Sequence, residues 1–221
     1  MIGQMAGADP VFRAQRRSSL GPCVRSACAA RRAADSGRTT DRTGSKMSID
    51  SAAEAVAMAE ATPRDLELIR RTIELAQESR DRGDHPFAAL LAGPDGAVLL
   101  EAMNTCGTKG DRTGHAERNL MTEASLLYDP EFLAGCTMYT SAEPCAMCAG
   151  SVYWAGVGRV VHGMSERALK DLIGPDPENL TMDLPCTAVF GAGQRAVSVL
   201  GPLLSAESAV VHDGFWTGLG A

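Results

Sequence analysis

The segment SAEPCAMCAG, residues 141–150, holds two thiols three residues apart, directly behind a proline. If this segment begins a helix, Cys145 and Cys148 project from the same side of it, because residues i and i+3 are neighbours on a helix surface. Pro144 suits the start of such a helix, where a missing N–H costs little. A close cysteine pair can be a redox pair, half of a structural zinc site, or two ligands of a catalytic metal.

A histidine and a glutamate earlier in the chain favour the third interpretation. His115 lies two residues before Glu117, at the start of another predicted helix. His115, Cys145 and Cys148 are one ligand short of a closed tetrahedral zinc site, and a catalytic zinc keeps that fourth position for water or hydroxide. We therefore predict one catalytic Zn²⁺ held by these three residues.

The other two interpretations explain fewer residues. Nothing around the cysteine pair resembles the strand-to-helix redox motif with its preceding tryptophan. A structural zinc would need a further cysteine as its fourth ligand, and it would leave Glu117 without a purpose. The candidates for that fourth ligand are Cys106, Cys136 and Cys186. In a catalytic site, zinc lowers the pKa of bound water to about 7, and a neighbouring carboxylate moves the released proton to the leaving group. Glu117 is the predicted proton carrier.

The same residues form a known two-part motif. The pattern H-x-E followed by P-C-x-x-C is typical of zinc nucleobase deaminases, and here it is HAE at 115–117 and PCAMC at 144–148. From Pro63 to its end, the chain resembles the cytidine deaminase-like superfamily, in the branch of guanine deaminase, fungal-type cytosine deaminase and the tRNA adenosine deaminases. VYWA at 152–155 is most similar to the IYWA of guanine deaminases. The resemblance implies an α/β fold, a three-layer α/β/α sandwich with a mixed five-stranded sheet, and a homodimer.

The resemblance also implies a set of substrate contacts. Asn104 matches the family asparagine that hydrogen-bonds the base, and the backbone N–H of Ala116 meets a ring carbonyl or its equivalent. Glu143 holds the position before the Pro-Cys pair, where guanine deaminases and tRNA-editing enzymes also carry glutamate. Phe215 and Trp216 are candidates for a C-terminal aromatic lid that stacks on a flat base. Ordinary packing at a subunit interface is an equal alternative for these two aromatics.

Some residues depart from the family pattern or have no place in it. The common DPTAHAE is DRTGHAE here, so Arg112 and Gly114 leave the conformation of this loop open. His85 and His162 have no motif partners and are interpreted as structural histidines. For His212, a surface position is at least as good an interpretation as a place in the pocket.

Hydrophobic spacing predicts the elements that position these residues. A helix begins at Thr62 and Pro63, because the first is a good cap and the second suits the first turn. Two apolar runs around Gly-Pro-Asp-Gly, residues 93–96, predict a β-hairpin. Strands predicted at 136–142, 159–164 and 195–204 alternate with predicted helices, which indicates an α/β layered protein.

Charge and composition limit the partners. Residues 1–46 carry eight Arg and one Lys against three Asp, whereas residues 47–221 carry 12 basic and 24 acidic side chains. We interpret 1–46 as a disordered leader, a transit peptide or an over-extended reading frame with Met47 as the true start, and 47–221 as one deaminase domain. This acidic domain lacks the surplus of Lys and Arg that nucleic acid phosphates require. No apolar run reaches the roughly 18 residues of a membrane span. The seven cysteines, with no secretory signal ahead of them, favour the cytoplasm.

Together these observations predict a zinc-dependent hydrolytic deaminase that releases ammonia from a small-molecule nucleobase or nucleoside. Guanine is the favoured substrate, and cytosine or a nucleoside comes next. Two alternatives stay open: a tRNA adenosine deaminase, which shares every zinc-site residue, and a non-catalytic zinc-binding interaction module. An intact Glu117 disfavours the second alternative.

Overall fold

A mixed five-stranded sheet forms the centre of the structure, a computed structural model that describes residues 49–177 and 179–216. Its strands are β1 (Ala88–Ala92), β2 (Val98–Met103), β3 (Thr137–Ala142), β4 (Arg159–Met164) and β5 (Ser198–Leu200). Their order is β2-β1-β3-β4-β5, antiparallel from β2 to β3 and parallel from β3 to β5. The predicted mixed sheet is confirmed, whereas the interpretation of residues 1–46 falls outside the described residues.

Helices cover both faces of this sheet. In chain order they are α1 (Ile49–Glu60), α2 (Pro63–Asp81), α3 (Cys106–Lys109), α4 (Ala116–Leu127), α5 (Pro130–Ala134), α6 (Ala146–Ala155), α7 (Glu166–Ile173), α8 (Cys186–Gly191) and α9 (Ser205–Val210). Within the described part of the chain, none of the helices combines the length and the apolar character needed to cross a bilayer.

Alternating side chains of the strands build two separate hydrophobic layers. On one face, α2 packs against β1 and β3 through a cluster that includes Ile69, Leu90, Tyr139 and Val161. On the opposite face, α4 and α6 pack on the sheet through a cluster that includes Leu91, Leu120, Met138 and Val160. Because strand residues point alternately to the two faces, neighbours such as Leu90 and Leu91 enter different layers. The architecture is therefore a three-layer α/β/α sandwich, as predicted.

Local signals explain where the elements begin and end. Thr62 and Asp65 form a capping box at the start of α2, with the Thr62 side chain and the Asp65 backbone N–H 3.1 Å apart. The β1–β2 hairpin turns at Gly93–Gly96, as predicted. The last strand is shorter than the predicted 195–204, because Gly201 and Pro202 follow Leu200 and a proline offers no N–H to a strand ladder. Helix α1 was not among the predicted elements.

A buried polar cluster joins α2 to the sheet. The Asp65 carboxylate accepts hydrogen bonds from the Tyr139 hydroxyl at 2.8 Å and from both terminal nitrogens of Arg159, at 2.8 and 3.2 Å. Burial alone would raise the pKa of Asp65, but the hydrogen bonds from Arg159, Thr62 and Tyr139 together hold it well below its usual range. This acid is fully paired and stabilises the packing of α2 on β3 and β4.

The carboxyl ends of the parallel strands β3 and β4 lie side by side at one edge of the sheet, and the segments that follow them carry candidate site residues. Strand β3 runs into the N-terminus of α6, and β4 runs into the N-terminus of α7. The carboxyl ends of parallel strands are the usual place for ligand sites in α/β sheets. The cysteine pair of α6 lies at this edge.

Candidate active site

One imidazole and two sulfur atoms converge at this edge. Nδ1 of His115 lies 3.6 Å from Sγ of Cys145 and 3.6 Å from Sγ of Cys148. All three candidate ligand atoms lie within 4.8 Å of one another. Among the described residues, no fourth His, Cys, Asp or Glu atom joins this group. A structural zinc closed by a further cysteine is therefore not what the described residues form.

These distances fit a zinc ion. Zn–S bonds of about 2.3 Å and Zn–N bonds of about 2.1 Å at a tetrahedral angle place sulfur and nitrogen about 3.6 Å apart. Hydrogen bonds from Cys148 and His115, against the opposing effect of burial, lower the pKa of Cys145 to about 4. Its hydrogen bond to Cys145 raises the pKa of His115 in turn. A divalent cation at the centre of these three groups would replace the protons that they carry without metal.

The two helix starts present the ligands. His115 is the N-cap residue of α4 and Cys145 is the N-cap residue of α6, and both have extended backbones. Cys148 lies in the first turn of α6, so both sulfurs face the same side, as the i, i+3 spacing predicted. The partial positive charge of a helix N-terminus favours thiolates there.

The loop that leads into His115 is held by side chains of α4. Arg118 forms an ion pair with Asp111 at 2.7 Å, and the amide of Asn119 donates to the carbonyl of Gly114 at 3.2 Å. A Cβ atom at Gly114 would lie 2.7 Å from Oγ1 of Thr105. This close approach explains the glycine that departs from the family pattern, because a side chain there would collide with Thr105 and with the backbone of Asp111.

Glu117 is buried beside the ligand cluster. Its side chain is 6% exposed, and Oε1 accepts a hydrogen bond from the Thr140 hydroxyl at 3.4 Å. Burial first, and the neighbouring Cys145 thiolate second, raise the pKa of Glu117. A carboxyl group whose pKa lies above its usual value is better matched to proton transfer near neutral pH.

A cavity of about 310 Å³ opens onto the cluster. Its lining includes the ligands His115 and Cys145 together with Glu117, Glu143 and Glu166. Ligand pockets for small molecules range from about 300 to 1,000 Å³, so this cavity suits one compact heterocycle.

The three glutamates of the cavity differ in their partners. Both oxygens of Glu143 accept backbone hydrogen bonds, from Cys186 at 2.8 Å and from Glu166 at 3.0 Å. Glu143 thereby joins the N-termini of α7 and α8, a structural task that the sequence did not reveal. Burial, with the anions Cys145, Glu117 and Glu143 nearby, raises the pKa of Glu166 to about 8.

Asn104 and Ala116 lie just behind the cavity wall. The side-chain carbonyl of Asn104 accepts a hydrogen bond from the backbone of Cys106 at 2.8 Å, and Cys106 itself lines the cavity. Nδ2 of Asn104 is buried and has no hydrogen-bond partner in the described structure. Ala116 is the first residue of α4, where a backbone N–H has no partner within the helix. Both residues therefore have a donor to offer, and their contact with substrate stays a prediction.

The C-terminal aromatics pack behind residues of the cavity wall. The Trp216 ring lies 5.1 Å from the ring of His85, which lines the cavity, and Trp216 Nε1 is 3.1 Å from Nδ1 of His212. Phe215 lies 6.0 Å from His85. His212 is 2% exposed, so the surface position, one of its two open interpretations, is wrong. The aromatic pair supports the wall through His85, and its role as a lid stays a prediction.

Sequence reasoning missed several cavity residues. Glu166, Arg112 and His85 line the cavity, and the first two were not chosen as site residues because no motif spacing connects them with HAE or PCAMC. His85 was interpreted as structural. Its position three residues before the apolar run Ala88–Ala92, which forms the buried strand β1, was the available signal.

Comparison with known proteins supports the motif assignment. The family model described as the cytidine and deoxycytidylate deaminase zinc-binding region matches residues 62–164. A probable cytosine deaminase of Schizosaccharomyces pombe is 33% identical over 159 residues, which cover 72% of this chain and 96% of that protein. Guanine deaminase of Bacillus subtilis is 39% identical over 88 residues, 39% of this chain and 56% of that protein.

Two further similar proteins show that relatives of this chain act on different substrates. The structure of guanine deaminase from Nitrosomonas europaea matches with a TM-score of 0.56, covering 68% of this chain and 82% of that one, and at 24% identity it shows the shared fold. A tRNA-specific adenosine deaminase of Bacillus subtilis is 33% identical over 95 residues, 43% of this chain and 58% of that protein. Three substrate classes thus occur among the relatives.

The relationship to the S. pombe protein extends over nearly the whole of that relative, and the family model spans both halves of the zinc motif. The noncatalytic interaction module loses its basis, because the three curated relatives named above are deaminases. The chain belongs to the zinc-binding cytidine and deoxycytidylate deaminase family, and it is a hydrolytic deaminase that cleaves a C–N bond.

Proposed function

We propose that this enzyme removes the amino group of a free nucleobase by hydrolysis, with guanine as the favoured substrate and cytosine or a nucleoside next. The observation that carries the proposal is the convergence of His115, Cys145 and Cys148 beside Glu117 on one small cavity. A metal centre with a buried acid at its side is the arrangement that hydrolytic deamination requires.

His115 Nδ1 and the sulfurs of Cys145 and Cys148 hold the metal. When bound, Zn²⁺ makes a water molecule acidic enough to attack an amino-bearing ring carbon at neutral pH. Glu117 would accept one proton of the attacking water and deliver it to a ring nitrogen. It would then take the proton of the new hydroxyl group on the ring carbon and pass it to the amino group, which leaves as ammonia. Thr140 orients the Glu117 carboxyl group through the hydrogen bond to Oε1.

Neighbouring groups hold the ring in place. The free amide hydrogens of Asn104 and the backbone N–H of Ala116 donate to ring acceptors, and Glu143 shapes the wall between them and α7. Phe215 and Trp216 back His85 and help to exclude water from the cavity.

Guanine is favoured over the other bases on two grounds. The segment VYWA at 152–155 resembles guanine deaminases, and the guanine deaminase of B. subtilis has the highest identity of the relatives named above, although over fewer residues than the cytosine deaminase. The cavity volume suits one base. The competing cytosine assignment rests on the S. pombe relative, whose similarity extends over most of its length.

A screen of ammonia release tests the proposal. Zinc-loaded protein is incubated with guanine, cytosine, adenine, their nucleosides and triazine analogues, and ammonia is measured with a coupled enzyme assay. We expect the highest kcat/KM with guanine. Ammonia release only from a pyrimidine would contradict the guanine assignment, and no release from any compound would contradict the proposed function.

The tRNA adenosine deaminases are the competing class, because they share the motif and are among the relatives. The 24 acidic against 12 basic side chains of residues 47–221 oppose binding to RNA phosphates. Tight, salt-sensitive binding of tRNA to residues 47–221, with inosine formed in the tRNA, would reverse this choice.

The oligomeric state and the compartment stay predictions. Trp154 on α6 is 84% exposed, which supports the predicted homodimer because large apolar side chains on a surface often mark a subunit contact. Its neighbour Tyr153 is used within the chain, where its hydroxyl accepts a hydrogen bond from the backbone of Gln194 at 2.8 Å. Light scattering on the purified protein measures the mass directly. The cytoplasmic location needs fractionation of cells.

A further inference from the structure

Glu166 projects into the catalytic cavity from the junction of β4 and α7. It is the first residue of α7, directly after the cap residue Ser165, whose hydroxyl accepts the backbone N–H of Ala168 at 3.0 Å. The backbone N–H of Glu166 donates to Glu143, so the main chain is fixed at this point. The residue is only 4% exposed, yet it lines the cavity together with His115 and Glu117.

The carboxyl group of Glu166 has no bonding partner in the described parts of the chain. The hydrogen bond of this residue comes from its backbone N–H, and no side chain or backbone group donates to its carboxyl oxygens. Buried carboxyl groups are normally paired, so one without a donor points to a ligand that supplies it.

A purely structural role explains these facts less well. An acidic residue in the first turn of a helix is favourable because of the helix dipole. A solvent-exposed position would provide that benefit without the cost of burying a carboxyl group. Ser165 already caps α7, so the helix start does not need the Glu166 side chain.

The other two acids of the cavity are already engaged. Glu117 is the proton carrier of the proposed reaction, and both oxygens of Glu143 are bound by backbone N–H groups. Of these three cavity-lining glutamates in the described structure, Glu166 is the one whose oxygens are free to accept a hydrogen bond from a bound molecule.

We propose that Glu166 accepts a hydrogen bond from an N–H of the substrate's six-membered ring and thereby selects heterocycles that carry a donor there. The inference rests on the proposed function, since it assigns a specificity contact in the same cavity. Guanine has an N–H at ring position 1, next to the carbon that loses its amino group. In 2-aminopurine the same carbon carries an amino group, but nitrogen 1 has no hydrogen.

The test compares guanine with 2-aminopurine. Ammonia release is measured with both compounds for the zinc-loaded wild type, Glu166→Ala and Glu166→Gln. Asp171→Asn, an acid-to-amide change at an exposed position of the same helix, is the matched control. We expect Glu166→Ala to lower kcat/KM for guanine by about tenfold to 100-fold and to leave 2-aminopurine within about threefold, because a site built for a donor discriminates strongly against its absence. Glu166→Gln keeps an acceptor oxygen and should recover part of the preference.

Equal losses for both compounds in Glu166→Ala would overturn the inference, because a merely structural residue affects every substrate alike. If the Glu166 variants bind zinc but turn over too slowly to measure, calorimetry with hypoxanthine and purine decides. Hypoxanthine carries the ring N–H and neither compound carries an amino group, so weaker binding of hypoxanthine alone supports the contact, whereas equal changes oppose it.

Failure of the proposed function gives a different result, because the wild type would then release no ammonia from any compound. If the wild type prefers cytosine, the same comparison uses cytosine and 1-methylcytosine, which lacks the ring N–H of cytosine. Loss of discrimination in Glu166→Ala supports the inference there also, and unchanged discrimination contradicts it.

Discussion

Two buried acids, Asp65 and Glu117, lie in opposite helical layers of the same sheet and have opposite surroundings. Asp65 is 2% exposed and accepts hydrogen bonds from Arg159, Tyr139 and Thr62. Glu117 is 6% exposed, and the hydrogen bond that its carboxyl group accepts from the Thr140 hydroxyl is long, at 3.4 Å. The pKa of the first carboxyl group is held low despite burial, and burial raises the pKa of the second.

The difference in hydrogen-bond partners separates an acid that stabilises the fold, Asp65, from an acid proposed to transfer protons, Glu117. A buried carboxylate that accepts hydrogen bonds from a guanidinium stays ionised and does not exchange protons near neutral pH. A buried carboxyl group beside sulfur ligands, without a cation of its own, is left for a metal, a proton or a substrate to satisfy. Removing each acid should therefore damage different properties of the protein.

The largest expected effect comes from removing one of the three ligands of the zinc ion beside Glu117. Cys148→Ala should lose zinc and all measurable ammonia release, because one of three protein ligands disappears. Metal content measured by mass spectrometry checks this. The control is Cys136→Ala, a buried cysteine whose sulfur lies 3.4 Å from the carbonyl oxygen of Phe132 and which should keep its zinc. Unchanged zinc in Cys148→Ala would remove Cys148 from the ligand set.

Glu117→Gln should keep zinc and lower kcat by about 100-fold to 10,000-fold, because the amide cannot carry the proton. Steady-state kinetics with metal analysis of the same sample measures both quantities. Glu123→Gln, an exposed acid on the same helix, is the matched control and should behave as the wild type. Near-normal turnover in Glu117→Gln would refute the proton-carrier role.

Asp65→Asn should act on stability and leave the chemistry alone. Breaking the buried pair with Arg159 should lower the free energy of unfolding by about 3 kcal/mol, measured by urea denaturation. Glu67→Gln, an exposed acid of α2 paired with Arg64, should change it by less than about 0.5 kcal/mol. Ammonia release per folded molecule should stay normal in Asp65→Asn. A selective loss of kcat in Asp65→Asn would contradict the conclusion that Asp65 affects stability alone.

The smallest expected effect is on the pH dependence of the free energy of unfolding. The folded pKa of Asp65 lies below its unfolded value, so its contribution is complete above about pH 4 and disappears as the pH falls further. The difference in unfolding free energy between the wild type and Asp65→Asn should therefore shrink below about pH 4. A difference that stays constant with pH would show that Asp65 stabilises the fold by packing alone.

Much of the fold could be predicted because its signals are local. The capping box at Thr62 and Asp65, the Gly-rich turn at 93–96 and the alternation of strands with helices each depend on residues close together in the chain. Helix α1 and the short β5 escaped prediction. The first has a broad alanine-rich pattern, and the second ends at Leu200, directly before Gly201, whose backbone lies close to the His162 ring.

For the site, the sequence by itself determined the pair of cysteines, the histidine and the Glu117 next to it, because short spacings decide which side chains share a helix start. The tertiary structure alone decided which acids are paired. Asp65 meets Arg159 across 94 positions of the chain, and Glu166 reaches the cavity only because β4 lies parallel to β3. Whether a buried carboxyl group meets a hydrogen-bond donor depends on how the layers pack. No local sequence pattern encodes such a contact between residues far apart in the chain.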